Sequence, residues 1–187
     1  MSAAVKHPRT PPQILGPFYP FMHTPIETGD LTGNGAARGR ILYLSGQVLT
    51  ETGQPVAGAK VEIWQANADG RYSHPNDENP AALDEKFNGF AVTRTDAQGR
   101  YQFKTVRPAA YPAAPGRWRP AHIHFSVTAK YEQLVTQMYF KGDSYNDTDS
   151  WLNSASRKEL LIVDPAPAEG HEAGAQAVTF DIVLTRG

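Results

Sequence analysis

Cysteine is absent from all 187 residues. Disulfides, iron–sulfur clusters and zinc–thiolate sites are therefore excluded, and any metal must be held through nitrogen and oxygen. Neither sign of charge is in excess: 18 Lys and Arg stand against 19 Asp and Glu, a net charge of -1. No basic field is available to hold a nucleic-acid backbone. No apolar run approaches the length of a membrane span, and the opening MSAAVKHPRTPPQ lacks the apolar stretch of a secretory signal. A cytoplasmic location is the expectation.

What the chain does have is turn-forming residues, 15 Pro and 16 Gly, with 40% hydrophobic residues, enough for one sizeable core. We expect a single domain over residues 1–187, an arm over 1–40 and a β-sandwich core over 41–187. Few stretches keep a helical apolar period, whereas alternation recurs. ILYLSGQVL (41–49) alternates and is followed by the turn ETGQ (51–54). AKVEIWQA (59–66) sets Val61 and Ile63 on one face and Glu62 and Trp64 on the other. GFAVTRT (89–95), the turn DAQG and RYQFKTV (100–106) read as a hairpin. HIHFSVTA (122–129), LVTQMYF (134–140) and VTFDIVL (178–184) complete an all-β, antiparallel sandwich. SWLNSASRKELL (150–161) reads as a short helix capped by Ser150 or Ser154.

The irregular segments 67–88 and 107–120 are long yet contain aromatic residues, so they read as ordered functional loops. Within RPAHIHF (119–125), His122 and His124 stand two apart on a predicted strand, so both imidazoles leave one face and can share an ion. Such a pair also occurs satisfied in polar cores, and in cupin-like sites that add a carboxylate and a further histidine. Here the next acid is Glu132 in a turn, and the only later histidine is His171 in a loose tail. The remaining anionic ligand type is phenolate, a hard donor suited to a highly charged cation once the metal displaces its proton. Tyr72 in DGRYSHP (69–75) and Tyr111 in RPAAYPAAP (107–115) stand in the long loops, but spacing alone does not select them. Asp69 and Gly70 read as the turn that delivers Tyr72.

Taken in order, DGRYSHP, the Tyr111-Pro112 pair, RPAHIHF and TQMYFKGD (136–143) resemble the intradiol aromatic-ring dioxygenases, over about residues 11–165. The resemblance implies a β-sandwich, and Fe(3+) bound by two tyrosinates, two histidines and a hydroxide. The matching positions are Tyr72, Tyr111, His122 and His124. It also implies cleavage of a 1,2-dihydroxyaromatic ring between its hydroxylated carbons, with both atoms of dioxygen entering the product. In that scheme Tyr111 is the tyrosinate that leaves, Arg119 stabilises charge on the substrate and Gln137 assists by hydrogen bonding. The alternative for Arg119 is a surface ion pair.

TPPQILGPFY (10–19) is similar to the arm of the non-catalytic subunit in the protocatechuate branch, while the metal motifs are similar to its catalytic subunit. Gly16, Pro17, Tyr19, Ala113, Arg119 and Gln137 are the implied substrate-pocket residues. Tyr19 either lines that pocket or anchors the arm, and His74 either reaches the site or faces water. Ala113 and Ala114 stand where the protocatechuate enzymes tend to place a bulky aromatic, which widens one wall of the pocket. The candidate substrates therefore stay open among protocatechuate, catechol, hydroxyquinol, pyrogallol and alkyl- or halo-catechols. A homo-oligomer, at least a dimer, is implied. Two rival readings stand: a transthyretin-like or carboxypeptidase-regulatory-like binding module, for which residues 46–106 alone would argue, and a ferrous cupin-type oxygenase.

Overall fold

In a computed structural model describing residues 6–187, alternating β-branched and aromatic residues pair into two five-stranded sheets. The first is built on β1 (Ile41–Thr50), which pairs antiparallel with β4 (Arg100–Val106) and parallel with β11 (Gln176–Thr179) and β12 (Ile182–Leu184). The short β10 (Ala166–Pro167) extends β11. The second runs β3 (Phe90–Arg94), β2 (Lys60–Gln65), β7 (His122–Thr128), β8 (Gln133–Phe140) and β9 (Ile162–Val163), antiparallel except for β8 with β9. The expected sandwich is present, but its strand directions are mixed. VTFDIVL is broken at Phe180–Asp181, where the Phe180 amide donates to Ser45 O (2.8 Å) and the Gln47 amide to Asp181 Oδ1 (2.9 Å).

Two other expectations change. Strands β3 and β4 do not form a hairpin: the Asp96–Gly99 turn closes between them (2.9 Å), but β3 pairs with β2 and β4 with β1. The chain crosses from one sheet to the other there. Segment 107–120, read as irregular, contains a bulged hairpin of β5 (Tyr111–Ala114) and β6 (Arg117–Arg119), with Tyr111 opposite Arg119. The helix at 150 is a single turn, α1 (Ser150–Ser154), capped by Asp149 rather than by either serine, with Oδ1 accepting from the Leu152 amide at 2.8 Å. A carboxylate one residue earlier supplies the acceptor that the first turn needs. No described helix is long and apolar enough to cross a membrane, which says nothing about β-barrels.

The core lies between the sheets. Leu42, Leu44 and Phe103 from the first meet Val61, Ile63, Ile123, Phe125 and Met138 from the second. Alternation then puts Glu62, Trp64, His122, His124, Gln137 and Tyr139 on the other face of the second sheet. That face is not open to water. Loops 67–88 and 107–120 and the arm cover it, so β7 is buried from His122 to Val127. The arm is held by backbone bonds from Thr10 to Val183 O (3.1 Å) and from Gln13 to Val135 O (2.9 Å). Residues 1–5 of the expected arm lie outside the described residues.

Candidate metal centre

The register of the second sheet sets His124 between Trp64 of β2 and Gln137 of β8, and His122 opposite Tyr139. Both imidazoles are 2% exposed, too buried for either to carry a charge without a partner. Burial, followed by the Arg119 charge, holds both well below the usual histidine range. Nδ1 of His122 lies 2.7 Å from Pro120 O, which can only accept, so Nδ1 carries the proton and Nε2 presents a lone pair. The His124 ring is stacked on Trp64, with centroids 4.8 Å apart and planes 11° from parallel. Its Nδ1 makes no hydrogen bond of good geometry, although the Ile14 carbonyl works to raise its pKa.

Tyr72 reaches the same point from loop 67–88. Asn67 shapes the loop: its Oδ1 accepts from the amides of Asp69 and Arg71 (2.9 Å each), and the Gly70 amide closes the turn on Asn67 O (3.1 Å). Asp77 Oδ2 then fixes the Tyr72 amide (2.7 Å). Tyr111 enters from the start of β5, its ring edge-on to Tyr72 with centroids 5.5 Å apart. Burial pushes both phenols up, Tyr72 well above its ordinary value, while Arg119 opposes the shift in each. Free, they are neutral phenols.

Donor atoms converge. His122 Nε2 lies 3.2 Å from His124 Nε2 and 3.4 Å from Tyr72 Oη. Two donors about 2.0–2.1 Å from one ion at right angles lie about 3 Å apart, so these two spacings are compatible with a shared ion. Among the described residues no group of three or more His, Asp or Glu is placed to hold a metal. The side-chain oxygen beside this histidine pair is the Tyr72 phenol and not a carboxylate, which disfavours the histidine–carboxylate alternative.

Arg119, at the end of β6, is 3% exposed and so is not a surface ion pair. Its Nε donates to Asp149 Oδ2 (2.9 Å), and its Nη2 to Gln137 Oε1 (2.8 Å) and Tyr139 Oη (2.9 Å). Nη1 faces His122 Nε2 at 3.2 Å. Burial works against the charge, but Tyr139, Asp149 and Tyr111 outweigh it and raise the Arg119 pKa. Removing Asp149 would leave this charge buried and unpaired, at a cost of about 3–5 kcal/mol.

The implied pocket residues divide. Gly16 (φ +77) lies against His124, where an added Cβ would stand 3.0 Å from Cε1. Tyr19 donates to Glu62 Oε1 (3.1 Å) and sits edge-on to Trp64 (4.9 Å), so it anchors the arm behind the histidine–tryptophan stack. Pro17 and Ala113 are exposed. His74 is half-buried 5.6 Å from the Phe18 ring, which packs on Tyr72 at 4.7 Å. A cavity of about 520 Å3, lined by Phe18, Trp64, Tyr72, His74 and Phe90, opens beside Tyr72. Sequence reading missed Asn67, Asp77, Tyr139, Asp149 and Trp151. The one available signal was the Asp149-Ser150 pair ahead of a helical turn.

The sequence profile of a family described as Dioxygenase matches residues 14–186. The protocatechuate 3,4-dioxygenase beta chain of Burkholderia cepacia is 43% identical over 166 residues, which cover 84% of this chain and 69% of that one. The 6-chlorohydroxyquinol 1,2-dioxygenase of Cupriavidus pinatubonensis is 39% identical, covering 75% of this chain and 54% of its own. Among solved structures, the dioxygenase domain of a carbohydrate-binding fusion protein from Streptomyces sp. SirexAA-E superposes with a TM-score of 0.75. Its identity is 27%, over 95% of this chain and 98% of that one. None of these relatives is a transthyretin-like binding module or a cupin.

Proposed function

Because this chain belongs to the intradiol ring-cleaving dioxygenase family, we propose that it is a single-domain enzyme that opens a 1,2-dihydroxyaromatic ring between the hydroxylated carbons. Both atoms of O2 enter a muconate-type diacid. Fe(3+) is held by Tyr72, Tyr111, His122 and His124. The observation that carries this reading is that His122 Nε2 has His124 Nε2 at 3.2 Å and Tyr72 Oη at 3.4 Å. The chemistry that ferric iron supplies when bound is activation of the chelated diphenol ring toward dioxygen.

The protein's own part is to prepare that site. The Pro120 carbonyl locks the His122 tautomer, and Trp64 fixes the His124 ring plane. Two phenolates offset most of a triple positive charge, which lets the ion sit in a nearly dry pocket. Tyr111 starts a short hairpin outside the sandwich. It would be the ligand freest to yield to a diphenol, and its Oη would then take one of the two ring-hydroxyl protons. Arg119 Nη1, which contacts His122 Nε2, would stabilise negative charge on a diphenol bound beside that histidine, while Gln137 accepts from the other arginine limb. Gly16 leaves room beside His124 where a larger residue would intrude. The same reading takes the enzyme as a cytoplasmic homo-oligomer.

The test is the colour and oxygen uptake of iron-loaded protein. We expect a red-brown solution with a broad visible band, and oxygen consumption with at least one of protocatechuate, catechol, hydroxyquinol, pyrogallol or a substituted catechol. Tyr111→Phe should keep iron, shift the band and slow diphenol binding. A colourless iron-loaded protein, or no uptake across the panel, sinks the reading.

A further inference from the structure

Arg119 has five N–H donors to place. Nε is taken by Asp149, and Nη2 by Gln137 and Tyr139, leaving Nη1, whose contact is with His122 Nε2 at 3.2 Å. The guanidinium also lies over the Trp151 ring, 4.5 Å from its centroid. Asp149 is itself immobilised. It is 3% exposed, and its second oxygen caps α1 through the Leu152 amide. Trp151 is tied to the arm, its carbonyl accepting from Gln13 Nε2 at 3.2 Å. Gln13 Oε1 in turn accepts from Tyr139 Oη at 3.0 Å. A long arginine side chain at the foot of a hairpin would otherwise spread over many rotamers. A buried ion pair adds little net stability over an apolar replacement, so stability is a weak reason to keep one here.

We propose that Asp149, with the Trp151 ring, is a positioning residue: it holds Arg119 by the Nε edge so that Nη1 alone is presented to the substrate at the metal centre. The proposal rests on the ring-cleavage reading. Asp149 touches neither substrate nor iron and acts through Arg119. The segment that carries it, 141–149, is docked onto the site strand, because Asp143 Oδ2 accepts from the Ala121 amide at 3.0 Å. That amide lies one residue before His122.

Three variants separate the roles of this residue. Asp149→Asn keeps an acceptor for the α1 cap but withdraws the charge from Arg119; Asp149→Ser also caps but is too short to reach the guanidinium. Trp151→Leu leaves the ion pair and removes the π face, and it keeps the test open if the Asp149 variants fold poorly. At equal iron content and with an unchanged visible band, both Asp149 variants should lower kcat by about 10–100-fold, the usual effect of losing a group that orients a site. KM should move much less, and Trp151→Leu should lower kcat by a smaller factor in the same direction. In metal-free protein labelled with nitrogen-15 arginine, a slowly exchanging Arg119 Nε–H signal should be present in the parent and lost in Asp149→Ser.

A kcat within twofold of the parent in the variants that fold overturns the proposal. So does a loss of turnover that only follows iron content or melting temperature. A parent inactive on every diphenol overturns the ring-cleavage reading instead. The Nε–H signal then decides the orientation claim, and its persistence in Asp149→Ser overturns that too.

Discussion

At the scale of single residues, the site depends on backbone that only certain side chains permit. Gly70 has φ +83, and a Cβ there would stand 2.6 Å from Ala110 O and 3.3 Å from Tyr111 Cβ. The turn that delivers Tyr72 is thus pressed against the residue before Tyr111, and both loops depend on the missing side chain. Gly70→Ala should cost about 1–3 kcal/mol from backbone strain alone, and it should also lower iron bound per chain. Urea unfolding with iron analysis checks both; a variant as stable as the parent, with full iron, would refute the coupling of the two loops. Much of this scale was legible. The strand period put His122 and His124 on one face, and the structure brings them together. The partners of Arg119 were not legible, because Asp149 lies 30 residues away and reaches it only once loop 141–149 has docked.

Elements were legible by period but not by partner. Alternation located most of the long strands, since each has a buried and a covered face. It could not reveal that β3 and β4 part into different sheets, because period carries no information about which neighbour a strand meets. The β5–β6 hairpin escaped for another reason. Pro112, Pro115 and Gly116 erase alternation, and a bulge shifts the register between Pro112 and Ala114. Outside contacts hold this hairpin in place. Trp118 stacks on Tyr145 with centroids 5.5 Å apart, and Arg117 donates to Ser150 Oγ (2.8 Å). Trp118 is 43% exposed, so Trp118→Ala should cost no more than about 1.5 kcal/mol of global stability. Amide exchange over 111–119 should nevertheless quicken while β7 stays protected. Unchanged exchange in the hairpin would show that the stack does not hold it.

On the scale of the whole molecule, the sandwich class was readable from repeated short strands and turns, whereas the parallel pairings on β1 were not. Those pairings bring the C-terminal strands next to the N-terminal arm. Thr10 Oγ1 accepts from the Val183 amide at 2.9 Å. Beside it Glu132, from the turn between β7 and β8, joins both segments: Oε1 takes Arg9 Nη2 (2.6 Å) and Oε2 takes the Arg186 amide (2.9 Å). Burial works to raise the Glu132 carboxyl, but the Arg186 amide and the Arg9 guanidinium outweigh it and hold its pKa below the ordinary 4.5. A depressed folded pKa means that the carboxylate stabilises the fold above about pH 4.5, and that the gain is lost as pH falls through the folded value. Arg9 is 39% exposed, so solvent screening keeps the gain below about 1 kcal/mol, a shift of roughly 2–4 °C at most. Glu132→Gln should therefore melt slightly below the parent from pH 5 to 7, and the two curves should converge as pH falls below 4.5 through the folded value. High salt should narrow the gap at neutral pH, because the Arg9 pair is partly exposed. A gap that does not narrow at all as the solution is acidified below pH 4.5 would mean that Glu132 acts through shape and hydrogen bonding, and that charge does not hold the arm to the sandwich.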